Sequence, residues 1–344
     1  MPLTQLNFQP GLDTENTPTG AESRWIDGDK IRFRKGLPQK IGGWTKFSED
    51  YYVGVGRALE QWFSLDGSRY EALGTDRKVY AYQSGDNQDI TPIRSTDALV
   101  NAISTTTSSN IITITDTSHG ALQGDFVTLS SVSADVAGIP AATLDAEYEI
   151  LSIANANAYT IESSAAANAN TGPTANCTAT YQLNIGPSVQ TFGYGWGAST
   201  WGASTWGTPR STSSVILDAR LWSINNWGED LVITQKDGGT YEWDLSLGMS
   251  TNRATAIANA PTTSTLSIVS TETRHVICMG TETTIGDSTT FDKMFIRWSD
   301  QENYNFWTPN VTNSAGSQRI AGGSEIRCAR PAKGTILVWT DTTM

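Results

Sequence analysis

"RLWSINNWGEDLVITQKDGGTYEWD", Arg220 to Asp244, predicts a chain built from consecutive β-strands. Its runs LVITQ and TYEW lie on either side of Asp237-Gly238-Gly239, and a short Gly-containing turn between two such runs is a strong β-hairpin signal. The runs are rich in Val, Ile, Thr, Tyr and Trp, the residue types that pack well on a pleated sheet. We therefore expect antiparallel strands joined by tight turns.

The same rhythm recurs on both sides of this stretch, as ALEQWFSLDGSRYEALGTDRKVYAYQSG and as MFIRWSDQENYNFWTP. Irregular meanders that recur at about 40 residues are typical of β-propeller blades. Without the inserted segment described next, roughly 257 residues remain, which allows about six blades at that period. The final run ILVW has the composition of a central strand but no following partner, so we expect a truncated chain or a strand supplied from outside.

A segment of different composition interrupts the meanders. Between Arg94 and Arg210 the sequence has no Lys or Arg. Eight acidic residues lie in this gap: Asp97, Asp116, Asp125, Asp135, Asp145, Glu147, Glu149 and Glu162. Short alternating runs such as NIITITD, GDFVTLSSV and NAYTIES predict five or six strands. We expect an all-β fold in three parts: an N-terminal arm with the first blades (1–96), an inserted small β-sandwich or barrel (97–183), and the remaining blades (184–344).

Composition excludes several classes of function. A net charge of −12 argues against a protein that grips nucleic acid through phosphate contacts, although an acidic wall would let DNA slide past. Neither a secretory signal nor a run of about 20 apolar residues is visible, so we expect a soluble protein without a membrane-spanning segment. Cys177, Cys278 and Cys328 are isolated from one another and predict free thiols.

The sequence contains no recognisable catalytic motif. Its two histidines, His119 and His275, lie in different predicted modules, and no phosphate-binding loop or nucleophile elbow is present. Propellers include sialidases, and glycan-cleaving enzymes use a pair of carboxylates as catalytic groups. In this sequence, however, the Asp-box spacing is incomplete and no cluster of arginines is visible. We predict a protein that is not an enzyme and that has no catalytic residues, cofactor or metal site.

The run GYGWGASTWGASTWGTPR, Gly193 to Arg210, places Trp196, Trp201 and Trp206 five residues apart. Five residues turn a helix by about 500° and bring a strand to its opposite face, so the run predicts turns. Each indole is a large flat anchor with one N–H donor. A core-capping loop, a subunit interface and a sugar-stacking platform are all compatible with this pattern.

Three stretches carry a resemblance to a known family: RWIDGDKIRFRKGLPQKIGGW (24–44), ARLWSINNWGEDLVITQKDGGTYEWD (219–244) and IRWSDQENYNFWTPNVTNSAGSQRIAGGSEI (296–326). Together with the Trp run, they resemble the tail hub or nozzle proteins of short-tailed bacteriophages, often called phage stabilisation proteins. The inserted segment resembles a small β domain of phage structural proteins that is named after a domain of ubiquitin-activating enzymes. Such hub proteins usually continue well beyond a point like Met344.

The resemblance implies a propeller-based homo-hexameric ring below the portal and adaptor proteins, through which DNA passes as cargo. It implies assembly in the host cytoplasm, a place in the virion tail, and needle or fibre proteins as further partners. The alternatives are a host-surface or glycan-binding propeller of the virion and, least favoured, a glycan-cleaving enzyme. The interface candidates are Trp196, Trp201, Trp206, Trp25, Trp44 and Arg32.

Overall fold

Strands form nearly all of the regular structure, which confirms the all-β prediction. The structure, a computed structural model, describes residues 8–43, 45–46, 48, 50–190, 218–249 and 252–343. The chain divides into two compact units, Met1–Glu49 and Asp50–Met344. The predicted division into domains 1–96, 97–183 and 184–344 stays a prediction.

The first unit contains two small strand pairs. Strands β1 (Gln9–Leu12) and β2 (Arg24–Trp25) run parallel, and β3 (Ile31–Arg34) and β4 (Leu37–Lys40) form a hairpin. The hairpin turn is made by Lys35 and Gly36, which both have positive φ angles (52° and 81°). A two-residue turn of this kind matches the right-handed twist of the strands that it joins.

The second unit begins with a four-stranded antiparallel sheet, the first meander. Its strands pair in chain order: β5 (Gly56–Phe63), β6 (Arg69–Thr75), β7 (Val79–Gln83) and β8 (Asp86–Asp89).

A two-sheet β-sandwich follows the first meander. Its elements are β9 (Ile93–Leu99), β10 (Ile103–Thr105), β11 (Ile111–Thr115), β12 (Phe126–Ser130), the short helix α1 (Ala141–Leu144), β13 (Glu147–Glu149), β14 (Ser152–Asn155), β15 (Ala158–Glu162), β16 (Thr171–Thr174) and β17 (Cys177–Gln182). One sheet has the order β14-β15-β11-β10-β16 and the other the order β13-β12-β17-β9. Alternate residues of both sheets are buried between them, among them Ile112, Ile114 and Tyr159. The sandwich begins four residues before the predicted start at Asp97, because β9 pairs with β17 from Ile93 onward.

Two further meanders and a hairpin complete the described chain. The second meander is β18 (Trp222–Trp227), β19 (Asp230–Gln235), β20 (Thr240–Trp243) and β21 (Thr255–Ala256), and the third is β22 (Ser264–Val269), β23 (Val276–Glu282), β24 (Phe291–Trp298) and β25 (Gly316–Arg319). The hairpin is β26 (Ile326–Ala332) and β27 (Thr335–Thr340), and single 3₁₀ turns occur at Leu245–Leu247 and Ser288–Thr290. The predicted Asp237-Gly238-Gly239 turn joins β19 to β20, with Asp237 at a φ of 55°.

The meanders stack face to face in chain order. Trp62 of the first meander and Trp222 of the second share one core, and each indole N–H donates to a backbone oxygen of the other sheet. The close approach requires glycine at position 74, since a Cβ there would lie 2.8 Å from the Trp222 ring. Separate cores then join the second meander to the third, around Trp307, and the third to the β26–β27 hairpin, around Met294.

The first strands of the four sheets lie next to one another in series, β5 beside β18, β18 beside β22 and β22 beside β26. This arrangement is blade-like, because in a propeller the first strand of every blade faces a common axis. Within this series, the described residues form three meanders and one hairpin, so the predicted count of about six blades is not confirmed.

Candidate functional site: an uncovered sheet face and a central cavity

The sequence-predicted interface residues fall into two groups. Trp44, Trp196, Trp201 and Trp206 lie outside the residues that the structure describes. Trp25 and Arg32 belong to the first unit. The Trp25 ring packs between Phe8 and Phe33, with centroid distances of 5.3 and 6.5 Å, and Arg32 is exposed and donates from Nε to Gln39. The interface role of all six residues stays a prediction.

The face of the first meander that points away from the second meander is exposed along β5 but buried along β7, where Tyr80 and Tyr82 are 5% and 7% exposed. Alternation along β5 turns Trp62 toward the second meander, where it is 2% exposed. Leu59 and Phe63 point the other way and are 70% and 57% exposed, and Leu65 in the following turn is 92% exposed. Large apolar side chains that cluster on an exposed sheet face mark an interaction surface. We call Leu59, Phe63 and Leu65 the front patch.

The opposite end of the series has a second incompletely covered face. In the β26–β27 hairpin, Ala329 and Val338 pack against the third meander, whereas Leu337 lies on the other side and is partly exposed. Strand β27 pairs with β26 along one edge, and its second edge has no partner in the described part of the chain. Among the described residues, no further sheet covers Leu337 or the exposed β5 side of the first meander.

A partly open cavity of about 450 Å³ lies along the first strands of the series. Residues of β5, β18, β22 and β26 line it, and each of these strands is at the edge of its own sheet. Edge strands present backbone N–H and C=O groups that no neighbouring strand uses. The charged side chains of the lining are Arg57, Glu60, Lys236, Glu325, Arg327 and Arg330.

These charges are unevenly paired. Lys236 pairs with Asp218 (2.6 Å) and Arg327 with Glu325 (3.3 Å). Neither Arg57 nor Arg330 has a carboxylate oxygen within 4.0 Å among the described residues. Burial raises the pKa of Glu60, and the positive charge of Arg330 opposes that rise. The cavity thus has a more positive lining than the net charge of the chain would predict.

The described residues that precede and follow positions 191–217 in the chain are linked to the cavity lining by hydrogen bonds. Gln190 and Asp218 are the described residues that flank positions 191–217, and the Gln190 amide donates to Asp218 at 2.8 Å. Asp218 also accepts from Lys236 of the cavity lining. Arg57, another lining residue, donates to the backbone oxygen of Ser188.

A buried ionic cluster joins the sandwich to the meanders. Lys78, in the turn between β6 and β7, is 3% exposed and donates from Nζ to Asp89 (2.8 Å) and to Glu147 of the sandwich (2.6 Å). Arg253, next to the second meander, completes the cluster at 2.8 Å from Asp89. Burial works against the ionisation of Asp89, but Arg253 and Lys78 outweigh it and hold the pKa of Asp89 below its usual range. Two cations and two carboxylates therefore compensate one another inside the molecule.

A second junction lies beside this cluster. The backbone N–H of Ile185 donates to Asp125 of the sandwich at 2.8 Å, and the N–H of Gly186 donates to the Asp76 oxygen at 3.0 Å. Burial raises the pKa of Asp125, although backbone hydrogen bonds from Leu122 and Ile185 favour its charged form. The sandwich is therefore joined to the meanders at two places, by the ionic cluster and by the hydrogen bonds of Ile185 and Gly186.

Both histidines take part in local hydrogen bonds. His119 accepts at Nδ1 from the N–H of Ala121 (3.1 Å) and packs edge-on against Tyr159, and His275 lies 2.9 Å from the Ser299 oxygen. Among the residues described, no group of three or more His, Cys, Asp and Glu side chains could hold a metal ion. The same residues include no helix with the length and apolar character that a bilayer crossing requires.

Sequence reasoning missed the cavity, the front patch and the ionic cluster. Lys78 and Glu147 are far apart in the chain and occur in no motif, so no local signal announces their contact. The alternation in GRALEQWF does place Leu59 and Phe63 on one face of a strand, and this signal could have located the front patch.

Comparison with known proteins gives little further information. No protein-family model matches this chain, and no curated protein matches it. Among solved structures, the chain is similar to the phage phi92 endosialidase, with 12% sequence identity and a TM-score of 0.24 over 86% of this chain. The chain spans 41% of the length of that protein. A TM-score of 0.24 is too low to assign a fold or a function.

Proposed function

We propose that this protein is a structural subunit of a bacteriophage tail. In this role it forms a homo-hexameric hub or nozzle below the portal and adaptor proteins, and DNA passes through the ring as cargo. Needle or fibre proteins are its further partners, and it acts without catalysis or cofactor. The resemblance of the sequence to tail hub proteins supplies the context, and the front patch carries the proposal.

The front patch favours assembly, because a monomer would leave these apolar side chains exposed to water. Leu59 and Phe63 expose apolar side chains on the same face of β5, with Gln61 between them, and Leu65 exposes a third in the turn that follows. Burying such side chains against a partner removes apolar area from water at about 25 cal/mol per Å². A sheet face also supplies a flat and preorganised surface, so little side-chain ordering opposes association.

The experiment measures the mass and shape of the full chain, alone and with neighbouring tail proteins, by light scattering and negative-stain imaging. We expect a ring of about six copies. Leu59→Asp places a charge in the front patch and should lower the assembled mass, with the melting temperature nearly unchanged because Leu59 is exposed. The matched control is Leu247→Asp, since Leu247 is equally accessible (67%) but lies in a 3₁₀ turn of the second meander. A persistent monomer in the presence of the tail proteins would reject the proposal.

The Trp run provides a second prediction of the same proposal. Trp201→Ala should give a folded protein that assembles poorly, because an indole is the type of anchor that dominates interfaces. Circular dichroism checks the fold and light scattering the assembly. Normal assembly of this variant would remove the interface role of the run without affecting the front patch.

A further inference from the structure

We propose that the central cavity binds an anionic saccharide unit, that is, a hydroxylated ring that carries a carboxylate. This function goes beyond the structural role and would let a tail subunit contact a surface glycan that carries an isolated acidic sugar. The proposal combines the size of the cavity, the edge strands that line it and the two arginines that lack a carboxylate partner.

The size of the cavity suits a small ligand. Its volume of about 450 Å³ lies within the range of protein sites for small molecules, which runs from about 300 to 1,000 Å³. The walls are parts of three meanders and a hairpin that are packed on one another through buried cores, so the site is preformed.

The walls match the hydroxyl groups of a sugar ring. Four edge strands present backbone donors and acceptors to the same space, and Ser223, Asn225 and Thr265 add side-chain hydroxyl and amide groups to the lining. A sugar hydroxyl donates and accepts hydrogen bonds, so it can use both kinds of backbone group. An apolar ligand would leave these groups unsatisfied, at a cost for each one.

The arginines match the carboxylate. Arg57 of β5 and Arg330 of β26 line the cavity, and neither guanidinium is neutralised by an ion pair in the described part of the chain. A guanidinium binds a carboxylate through two parallel N–H donors, which gives both energy and orientation. Glu60 lies close enough to Arg330 for the positive charge of Arg330 to lower the pKa of Glu60. The Glu60 carboxylate can accept a hydrogen bond from a sugar hydroxyl.

The charge of the whole molecule favours a single anionic group over a polyanion. A net charge of −12 opposes the approach of a chain of phosphates, which would need a continuous basic stripe. Arg57 and Arg330 have no ion-pair partner within 4.0 Å among the described residues, so together they can bind one carboxylate on a hydroxylated ring.

The test is titration calorimetry of the full chain with glucuronic acid and N-acetylneuraminic acid, with glucose as the neutral match and sulfate as the inorganic anion. We expect at least one acidic sugar to bind in or below the millimolar range and glucose to bind at least tenfold more weakly. Arg330→Gln should weaken binding of the acidic sugar tenfold or more while circular dichroism stays unchanged. If Arg330→Gln does not fold, Arg57→Gln gives the same readout.

Arg69→Gln is the matched control. Arg69 is also an exposed arginine of the first meander, but its guanidinium lies over the Phe63 ring and outside the cavity lining. It should bind the acidic sugar as the unchanged protein does. The proposal is overturned if neither acidic sugar binds, if glucose binds equally well, if sulfate binds as tightly as the sugars, or if the Arg330 and Arg57 variants both keep full affinity. None of these outcomes depends on ring assembly.

Discussion

The inserted sandwich and the meander series bury their apolar residues in different ways. Each sheet of the sandwich is covered on its inner face by the other sheet, and Ile103, Ile112 and Ile161 are fully buried there. In the series, each meander is covered by the next one, and in the described part of the chain the β5 side of the first meander and the Leu337 side of the last hairpin stay exposed. A sandwich completes its core with two sheets, whereas a stack of blades completes its core when the last sheet meets the first or a partner covers both ends. The same strand composition can therefore form both a module that completes its own core and a module that favours association.

The largest expected effect concerns the cores of the two regions. Trp243 is fully buried in the first core of the series, and its ring meets Trp62 edge-on at 6.2 Å. Trp243→Ala should destabilise the series by about 4 kcal/mol, because it removes a large buried side chain and leaves a cavity. The sandwich, residues 93–182, contains no Trp, so tryptophan fluorescence follows the unfolding of the remaining chain.

The matched variant is Ile114→Ala in the sandwich core, which should cost about 3 kcal/mol by the same mechanism. Urea unfolding followed by fluorescence and by circular dichroism should assign each loss to its own region. Equal shifts of both signals in both variants would mean that the two regions unfold as one cooperative unit.

The second prediction tests the link between the regions. Lys78→Met should destabilise the protein by about 2 kcal/mol, because it leaves the mostly buried carboxylate of Asp89 and the partly exposed carboxylate of Glu147 with Arg253 as their remaining cation. Arg77→Met is the control, since Arg77 pairs with Glu149 at 3.1 Å in a more exposed position and should cost less than about 1 kcal/mol. Thermal unfolding measures both, and equal losses would contradict a special role of the buried cluster.

The third and smallest effect is the pH dependence of that cluster. The pKa of Asp89 is lower in the folded protein than its unfolded value of about 4, so its contribution is present above that value and is lost as the pH falls through the folded pKa. The pKa of Asp125 is raised, so its burial has the opposite sign and disfavours folding at neutral pH. Between pH 5 and 2, the unchanged protein should therefore lose more stability than Asp89→Asn.

Asp125 is present in both proteins, so its contribution cancels in this comparison. The measurement is the free energy of unfolding at each pH. Parallel pH profiles for the two proteins would show that Asp89 does not stabilise the fold through its charge.

Local patterns in the sequence predicted a large part of the fold. The alternation of apolar and polar residues located the strands, and the turn residues Asp237, Gly238 and Gly239 located the β19–β20 hairpin. The absence of basic residues marked the segment that contains the sandwich. These features could be read because side-chain alternation and turn geometry depend on neighbouring residues.

The candidate site could not be predicted in the same way. The sequence drew attention to Trp196, Trp201 and Trp206, whereas Trp62, Trp222, Trp243 and Trp307 are the anchors between the described sheets. Their role depends on which sheet faces which, and strand patterns do not encode that order. The same holds for Arg57 and Arg330, which line one cavity from strands far apart in the chain.

The class of the fold and the strand rhythm could be predicted from the amino-acid sequence, because both follow from short-range periodicity and turn chemistry. Tertiary structure alone decided the stacking order, the uncovered front patch, the pairing of Lys78 with Glu147 and the positive lining of the cavity. These properties arise from contacts between residues that are distant in sequence, and their energies depend on burial, which exists only after the sheets have packed.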